Sequence, residues 1–150
     1  MIIRPYRPLD FHPVTALWRR SRLHAFPDLE ARLGHTVEQD HAYFRDVLAT
    51  KDALWVAELG GRPAGFLAIA GDFVDQLFVD PERQRGGVGS ALLEQARRLS
   101  PAGLRLFTFQ GNANARAFYE KHGFAAVKFG VSPPPESEPD VEYRWRPEGA

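Results

Sequence analysis

Asp75-Gln-Leu-Phe-Val-Asp-Pro-Glu-Arg-Gln-Arg-Gly-Gly-Val-Gly-Ser-Ala-Leu-Leu93 is the stretch on which the reading of the whole chain turns. It reads as strand, tight loop and helix. Phe73 to Val79 is apolar, β-branched and aromatic enough for a buried strand. Asp80-Pro81 stops that strand, because proline has no ladder N–H to offer. Arg83 and Arg85 lead into Gly86, Gly87 and Gly89, and Val88, Leu92, Leu93, Ala96 and Leu99 then recur at helical spacing. Glycines between a strand and a helix let backbone N–H groups converge on one point. The helix start adds unpaired N–H groups and a partial positive charge. Together they suit an anion, most often a phosphate. Neither Gly-x-Gly-x-x-Gly nor Gly-Lys-Ser/Thr occurs here, so a dinucleotide fingerprint and a nucleotide P-loop are both unsupported. A glycine-rich turn without a ligand is the alternative.

Working outward, 150 residues favour one compact domain, 1–150, with a sizeable core. The formal net charge is zero, so nothing in the balance calls for nucleic acid or a membrane surface. The absence of cysteine excludes a disulfide framework, a thiolate metal site and a cysteine nucleophile. The five histidines show no ligand spacing, and no metal is expected. There is no signal-peptide pattern, nor a run near the ~20 apolar residues of a membrane span, so a soluble cytoplasmic protein is expected.

In chain order, Met1 to Arg7 reads as a strand and Pro8 to Asp10 opens a helix with Val14, Leu17, Trp18 and Leu23 inward. Arg19, Arg20 and Arg22 are expected to face out, and the chain to turn at Phe26-Pro27-Asp28. Thr36 is a plausible N-cap for a helix to Leu48, with Val37, His41, Phe44, Val47 and Leu48 as its inner stripe. Leu54–Leu59 and Ala64–Ala70 form a hairpin about Gly60-Gly61, and Gly71-Asp72 turns into Phe73–Val79. Leu104–Phe109 is a strand, Ala113–His122 a helix closed by Gly123, and Phe124–Gly130 and Val141–Trp145 are strands around a Pro-rich loop. The class is α+β, a mixed sheet with helices on both faces.

The second informative stretch is Asn112-Ala-Asn-Ala-Arg-Ala-Phe-Tyr-Glu-Lys-His-Gly-Phe124. Asn112 is an N-cap candidate, and Tyr119 carries an apolar ring with a hydroxyl that could point into a cleft. Gln84-x-x-Gly87-x-Gly89 resembles the acetyl-CoA pyrophosphate loop of the GNAT family of N-acetyltransferases. Asn112, Ala115, Phe118, Tyr119, Glu120, Gly123 and Phe124 resemble that family's Asn-x-x-Ala-x-x-Phe/Leu-Tyr-Glu-x-x-Gly-Phe segment. The two motifs come in the family's order and roughly its separation. Over Pro8 to Leu48 the likeness is only in kind.

The resemblance implies a mixed, mostly antiparallel sheet of about seven strands and an acetyl-CoA co-substrate with no metal. Backbone groups of Leu77, Phe78 and Val79 would pair with the pantetheine arm. The N–H groups of Gln84, Arg85, Gly86, Gly87, Val88, Gly89 and Ser90 would hold the pyrophosphate, and Asn112 would bond the cofactor near the pantetheine. Tyr119 would be the general acid towards the departing thiolate; a core aromatic is the competing reading. Asp75 is the candidate general base, or else a carboxylate salt-bridged to Arg83 or Arg105, ahead of Asp72 and Glu58. Glu136, Glu138 and Asp140 would form an acidic rim or simply a solvated loop, and Trp18, His24 and Phe26 an aromatic wall or core. The implied reaction is direct acetyl transfer, in a ternary complex, to a primary amine of a small molecule or peptide. A homodimer is compatible with it. The rival reading is a catalytically silent acyl-CoA-binding or sensory module on the same fold.

Overall fold

The computed structural model describes residues 1–84 and 86–148. A seven-stranded sheet has the order β1-β2-β3-β4-β5-β7-β6. The strands are β1 Ile2–Pro5, β2 Ala53–Leu59, β3 Arg62–Ala70, β4 Phe73–Val79, β5 Leu104–Phe109, β6 Ala125–Val131 and β7 Pro139–Trp145. Among the described residues only the β4–β5 pair is parallel; β1 to β4 form an antiparallel run, and β7 lies antiparallel between β5 and β6. The helices are α1 Phe11–Ala25, α2 Pro27–Leu33, α3 Val37–Tyr43, α4 Ala49–Lys51, α5 Val88–Leu99 and α6 Ala113–Lys121. This is the expected α+β architecture. Among the described residues no helix is long and apolar enough to cross a membrane.

Local chemistry accounts for the boundaries. Gly60 and Gly61 take φ of 57° and 78°, the positive values a two-residue hairpin demands. Thr36 caps α3: its hydroxyl accepts from Gln39 N–H, and the Gln39 side chain accepts from Thr36 N–H. Gly123, at φ 88°, turns the chain out of α6 towards β6. Each sheet face has its own core. Val88, Leu92, Leu93 and Ala96 of α5 pack on Leu67, Ile69, Val74, Leu104 and Leu106. Val14, Leu17 and Trp18 of α1, with Phe44 and Leu48, cover Val56, Phe66 and Ala68 on the other face.

The N-terminal helical region departs from the sequence reading in three places. Pro27 starts a helix where only a turn was expected: its missing N–H costs nothing in a first turn, and Gly34 at φ 63° ends the helix. Leu23 is 59% exposed, whereas Arg22 turns inward. Arg22 bonds Glu30 and Asp40 at 3.0 Å each and lies 4.3 Å over the Trp18 ring. Asp40, itself buried, also pairs with Arg19. A charge network thus joins α1, α2 and α3, with carboxylates from other helices compensating the buried guanidinium. Val47 is exposed, because Phe44–Leu48 is a π-helical turn that breaks the 3.6-residue phase, and Val37, at the first position of α3, is exposed too.

The backbones of β3 and β4 and helix α5 come close together at Gly65. A Cβ there would lie 2.8 Å from the Phe78 carbonyl oxygen and 2.9 Å from Val88 Cγ1. Gly65→Ala is therefore expected to destabilise the fold by about 1–3 kcal/mol. Urea unfolding checks this: the midpoint should fall while the slope stays unchanged.

Candidate active site

The cleft exists because β4 and β5 part company. They pair only at Phe73↔Arg105 and Val74↔Leu106. Beyond that point β4 stays with β3 as far as Val79, and β5 stays with β7 as far as Phe109. Asp75 is the first residue past the last shared pair. It is also the extra residue of a bulge, since Val74 opposes Ile69 and Gln76 opposes Ala68. The divergence leaves a cavity of about 590 Å³ lined by β4, the loop after it, the starts of α5 and α6, and the end of α1.

Strand geometry decides which backbone groups face this cavity. The Phe78 carbonyl points at Gly65 on β3, and Asp80 N–H donates to Ala64 on the same side. By alternation, Leu77 and Val79 turn their N–H and C=O groups towards the gap. The Val79 carbonyl lies 3.0 Å from Ser21 Oγ, which is also 2.7 Å from the Leu17 carbonyl. Ser21 therefore ties the lip of β4 to α1. Leu77, Phe78 and Val79 all line the cavity.

Gln84, Gly87, Val88, Gly89 and Ser90 line its other side. Gly87 takes φ 79° and precedes α5 without a side-chain cap, so the helix's first N–H groups stay available to an anion. Gly89 admits α6 closely: a Cβ would lie 3.3 Å from the Phe118 ring and 3.5 Å from Val79 Cγ2. Ser90 Oγ sits 3.2 Å from His122 Nε2. Gly86 stands in the same loop. Arg85 lies outside the described residues.

From α6, Asn112 and Tyr119 both reach the cavity. Asn112 Oδ1 accepts from Ala115 N–H at 3.2 Å as the helix cap, which leaves its amide NH₂ to donate elsewhere. Tyr119 is only 8% exposed, with its ring against Phe118, Phe124 and Tyr143. Burial pushes its hydroxyl above the usual tyrosine range, so it stays protonated. Trp18 is buried against Tyr43 and Phe44, as core; His24 lines the cavity, and Phe26 meets Phe109 edge-on at 5.1 Å.

Asp75 does not pair with Arg83 or Arg105. Its partner is Lys51, at 2.9 Å, while Arg105 takes Asp72 at 3.2 Å. Asp52, overlooked in the sequence because it stands beside an exposed-looking Lys51, comes within hydrogen-bonding reach of Asp75. Asp52 is 7% exposed. Burial and the neighbouring Asp75 carboxylate push it up to about 7, against the opposing pull of Lys51. Tyr43 is raised too, by burial and by the Asp75, Asp52 and Glu136 charges. Glu136 belongs to the Pro-rich loop, which Arg32 of α2 holds through the Glu136 carbonyl at 2.6 Å and Glu138 at 2.9 Å.

A cleft between two diverging parallel strands, floored by an uncapped helix start, matches a known architecture. The profile of the acetyltransferase (GNAT) domain matches residues 50–126. The chain belongs to the GNAT family of acetyltransferases. It is 32% identical over 131 residues to the uncharacterized N-acetyltransferase YafP of Escherichia coli, covering 84% of this chain and 82% of that one. It is 32% identical over 123 residues to the peptidyl-lysine N-acetyltransferase YjaB of Salmonella typhimurium, covering 81% of each. The solution structure of apo-form YjaB from E. coli superposes with a TM-score of 0.75 at 27% identity, over 100% of both chains. The GNAT chain described here is accordingly an acyltransferase.

Asp52 also makes a thermodynamic prediction. An unfolded aspartate loses its proton near ~3.9, whereas the folded group holds it up to about 7. Between those values the native state binds more protons than the unfolded state, so this group's contribution makes stability fall as pH rises. Asp52→Asn removes that contribution. Urea unfolding at intervals from about pH 4 to 8 should show the wild type losing stability relative to the variant with rising pH.

Proposed function

We propose that this GNAT domain, a single unit over residues 1–150, transfers an acetyl group from acetyl-CoA directly to a primary amine within a ternary complex. The observation that carries this reading is the cavity between β4 and β5, with the uncapped start of α5 at one end and Tyr119 within it. The first N–H groups of α5 and the loop from Gln84 to Ser90 suit the pyrophosphate. The outward backbone of Leu77 and Val79 suits the pantetheine amides, as an added strand would. Asn112 keeps its amide donors for the same arm. Among acceptors, a lysine ε-amine in a peptide is the first to test, in view of the activity named for the Salmonella relative.

The chemistry follows from these positions. The free amine attacks the thioester carbonyl, the C–N bond forms, and the carbonyl electron pair moves onto oxygen. A cleft-facing N–H of β4, from Leu77 or Val79, is placed to bond the resulting oxyanion. As that pair returns, the C–S bond breaks, and the Tyr119 hydroxyl gives its proton to the leaving thiolate. Solvent restores the tyrosine proton. The proton shed by the amine goes to a carboxylate, and Asp75, at the apex of the divergence, is the group assigned to receive it.

CoA release measured against lysine peptides, small amines and polyamines tests the proposal. Tyr119→Phe should lower kcat by about 100-fold or more while CoA binding by calorimetry persists. CoA binding without turnover of any amine by the wild type would sink the transferase reading for these acceptors. Gly87→Ala forces a side chain into a left-handed backbone at a cost of about 1–2 kcal/mol. It should weaken CoA binding about tenfold, read in the same calorimeter.

A further inference from the structure

The buried acidic group beneath Tyr43 contains more than a base held by a lysine. Both Asp52 carboxylate oxygens, and Oδ2 of Asp75, are buried without an aligned hydrogen-bond donor. Lys51 neutralises Asp75 as an ion pair, at 2.9 Å. Two ionised carboxylates in hydrogen-bonding reach offer only acceptors to one another. A single proton held between them supplies the missing donor and relieves their repulsion. An orphaned pair of this kind is costly to bury for structure alone.

Its placement gives it a use. The cavity is lined from both faces of the sheet, by α5 and α6 on one and by Ser21, His24 and Ala25 of α1 on the other. Phosphates held at the start of α5 occupy the first face. The second reactant then comes from the α1 face, where Tyr43 stacks on Trp18; Lys51, Asp52 and Asp75 stand behind the cavity lining, and the two carboxylates raise Tyr43 by their charge. Asp75 lies three residues before Phe78, about 10 Å along the strand, a span that one or two waters or an extended amine can bridge.

We propose that Asp52 and Asp75 act together as one proton-accepting unit, taking the acceptor amine's proton as a proton shared between the two carboxylates. This rests on the amine-acetylation reading above. The active form is the doubly ionised pair. It takes one proton from the substituted ammonium as the C–N bond is established, holds it between Asp52 and Asp75, and releases it to solvent after product leaves. Asp52, pushed up to about 7 by burial and by the Asp75 carboxylate, brings the pair towards the working pH, where general-base catalysis is most effective. Lys51 remains protonated, its ammonium held chiefly by its pairing with Asp75. Tyr43 and Glu136 are the other titratable groups bearing on the site, and Tyr43 is shifted up, away from neutrality.

Two measurements on the full chain test this. Carbon-detected NMR of aspartate carboxyl groups, without any acceptor, should show one group titrating near pH 7. Its midpoint should move down by more than one pH unit in Asp75→Asn. Ordinary titration of both carboxyl groups would overturn the proposal. Second, kcat at saturating lysine peptide, or whichever panel amine turns over fastest, should rise through about pH 7 in the wild type. Asp52→Asn, which keeps the side chain's size and donates to Asp75, should lower the plateau by about 100-fold and abolish that inflection. Tyr119→Phe should lower kcat and keep the inflection. If the wild type turns over an amine and Asp52→Asn matches it in rate and profile, the shared-proton unit is refuted while the transferase reading stands. If the wild type acetylates nothing in the panel, both fall.

Discussion

The parallel contact between β4 and β5 is the constraint on which the rest depends. It holds at Phe73↔Arg105 and Val74↔Leu106 and nowhere beyond. Had the strands stayed paired, there would be no cavity and no open backbone edge on β4. They separate because each has a stronger attachment on its far side. β4 follows β3 through the bulge at Asp75, while β5 is paired with β7 along its whole length. Two antiparallel half-sheets, each internally satisfied, leave unpaired backbone polar groups along the gap between them. Such groups cannot be left without partners in a dry interior, so the gap is wet or liganded by construction.

The charge network of α1, α2 and α3 supports that gap from the opposite face. Arg22, Asp40, Glu30 and Arg19 lock three short helices that have little helical persistence alone. α1 in turn offers Ser21 to the Val79 carbonyl. α2 carries Arg32 across to the Pro-rich loop, far along the chain. The α1 side of the cleft is thus bounded by elements whose positions depend on ion pairs between distant residues, and the α5 side depends on a short loop and a helix start.

The α5 side of the cleft was legible in the chain itself. Gly87 and Gly89 after a strand ending in Asp-Pro, together with the segment from Asn112 to Phe124, marked the glycine loop, the cap and the helix that carries Tyr119. Their spacing is local, and each residue type has a local reason: a positive φ at Gly87, a close helix approach at Gly89, an N-cap at Asn112. The hairpin glycines and the capping box of Thr36 were readable for the same reason. The N-terminal helices were less so. Arg22 looks like a surface residue until Glu30 and Asp40 supply its counter-charges, and a π-turn shifts the facing of everything after Phe44.

The chain by itself determined that a strand, a glycine loop and an uncapped helix start would follow one another, and that a capped helix bearing Tyr119 would come after them. These are properties of neighbouring residues, governed by backbone conformation and helix ends. Only the tertiary structure decided what stands where β4 leaves β5. Asp52 and Asp75 are distant in sequence and carry no shared motif, yet the β2–β3–β4 register and the bulge bring their carboxyl groups together beside Lys51. Proton affinity is set by burial and by the nearest charges. Neither exists until the sheet has formed.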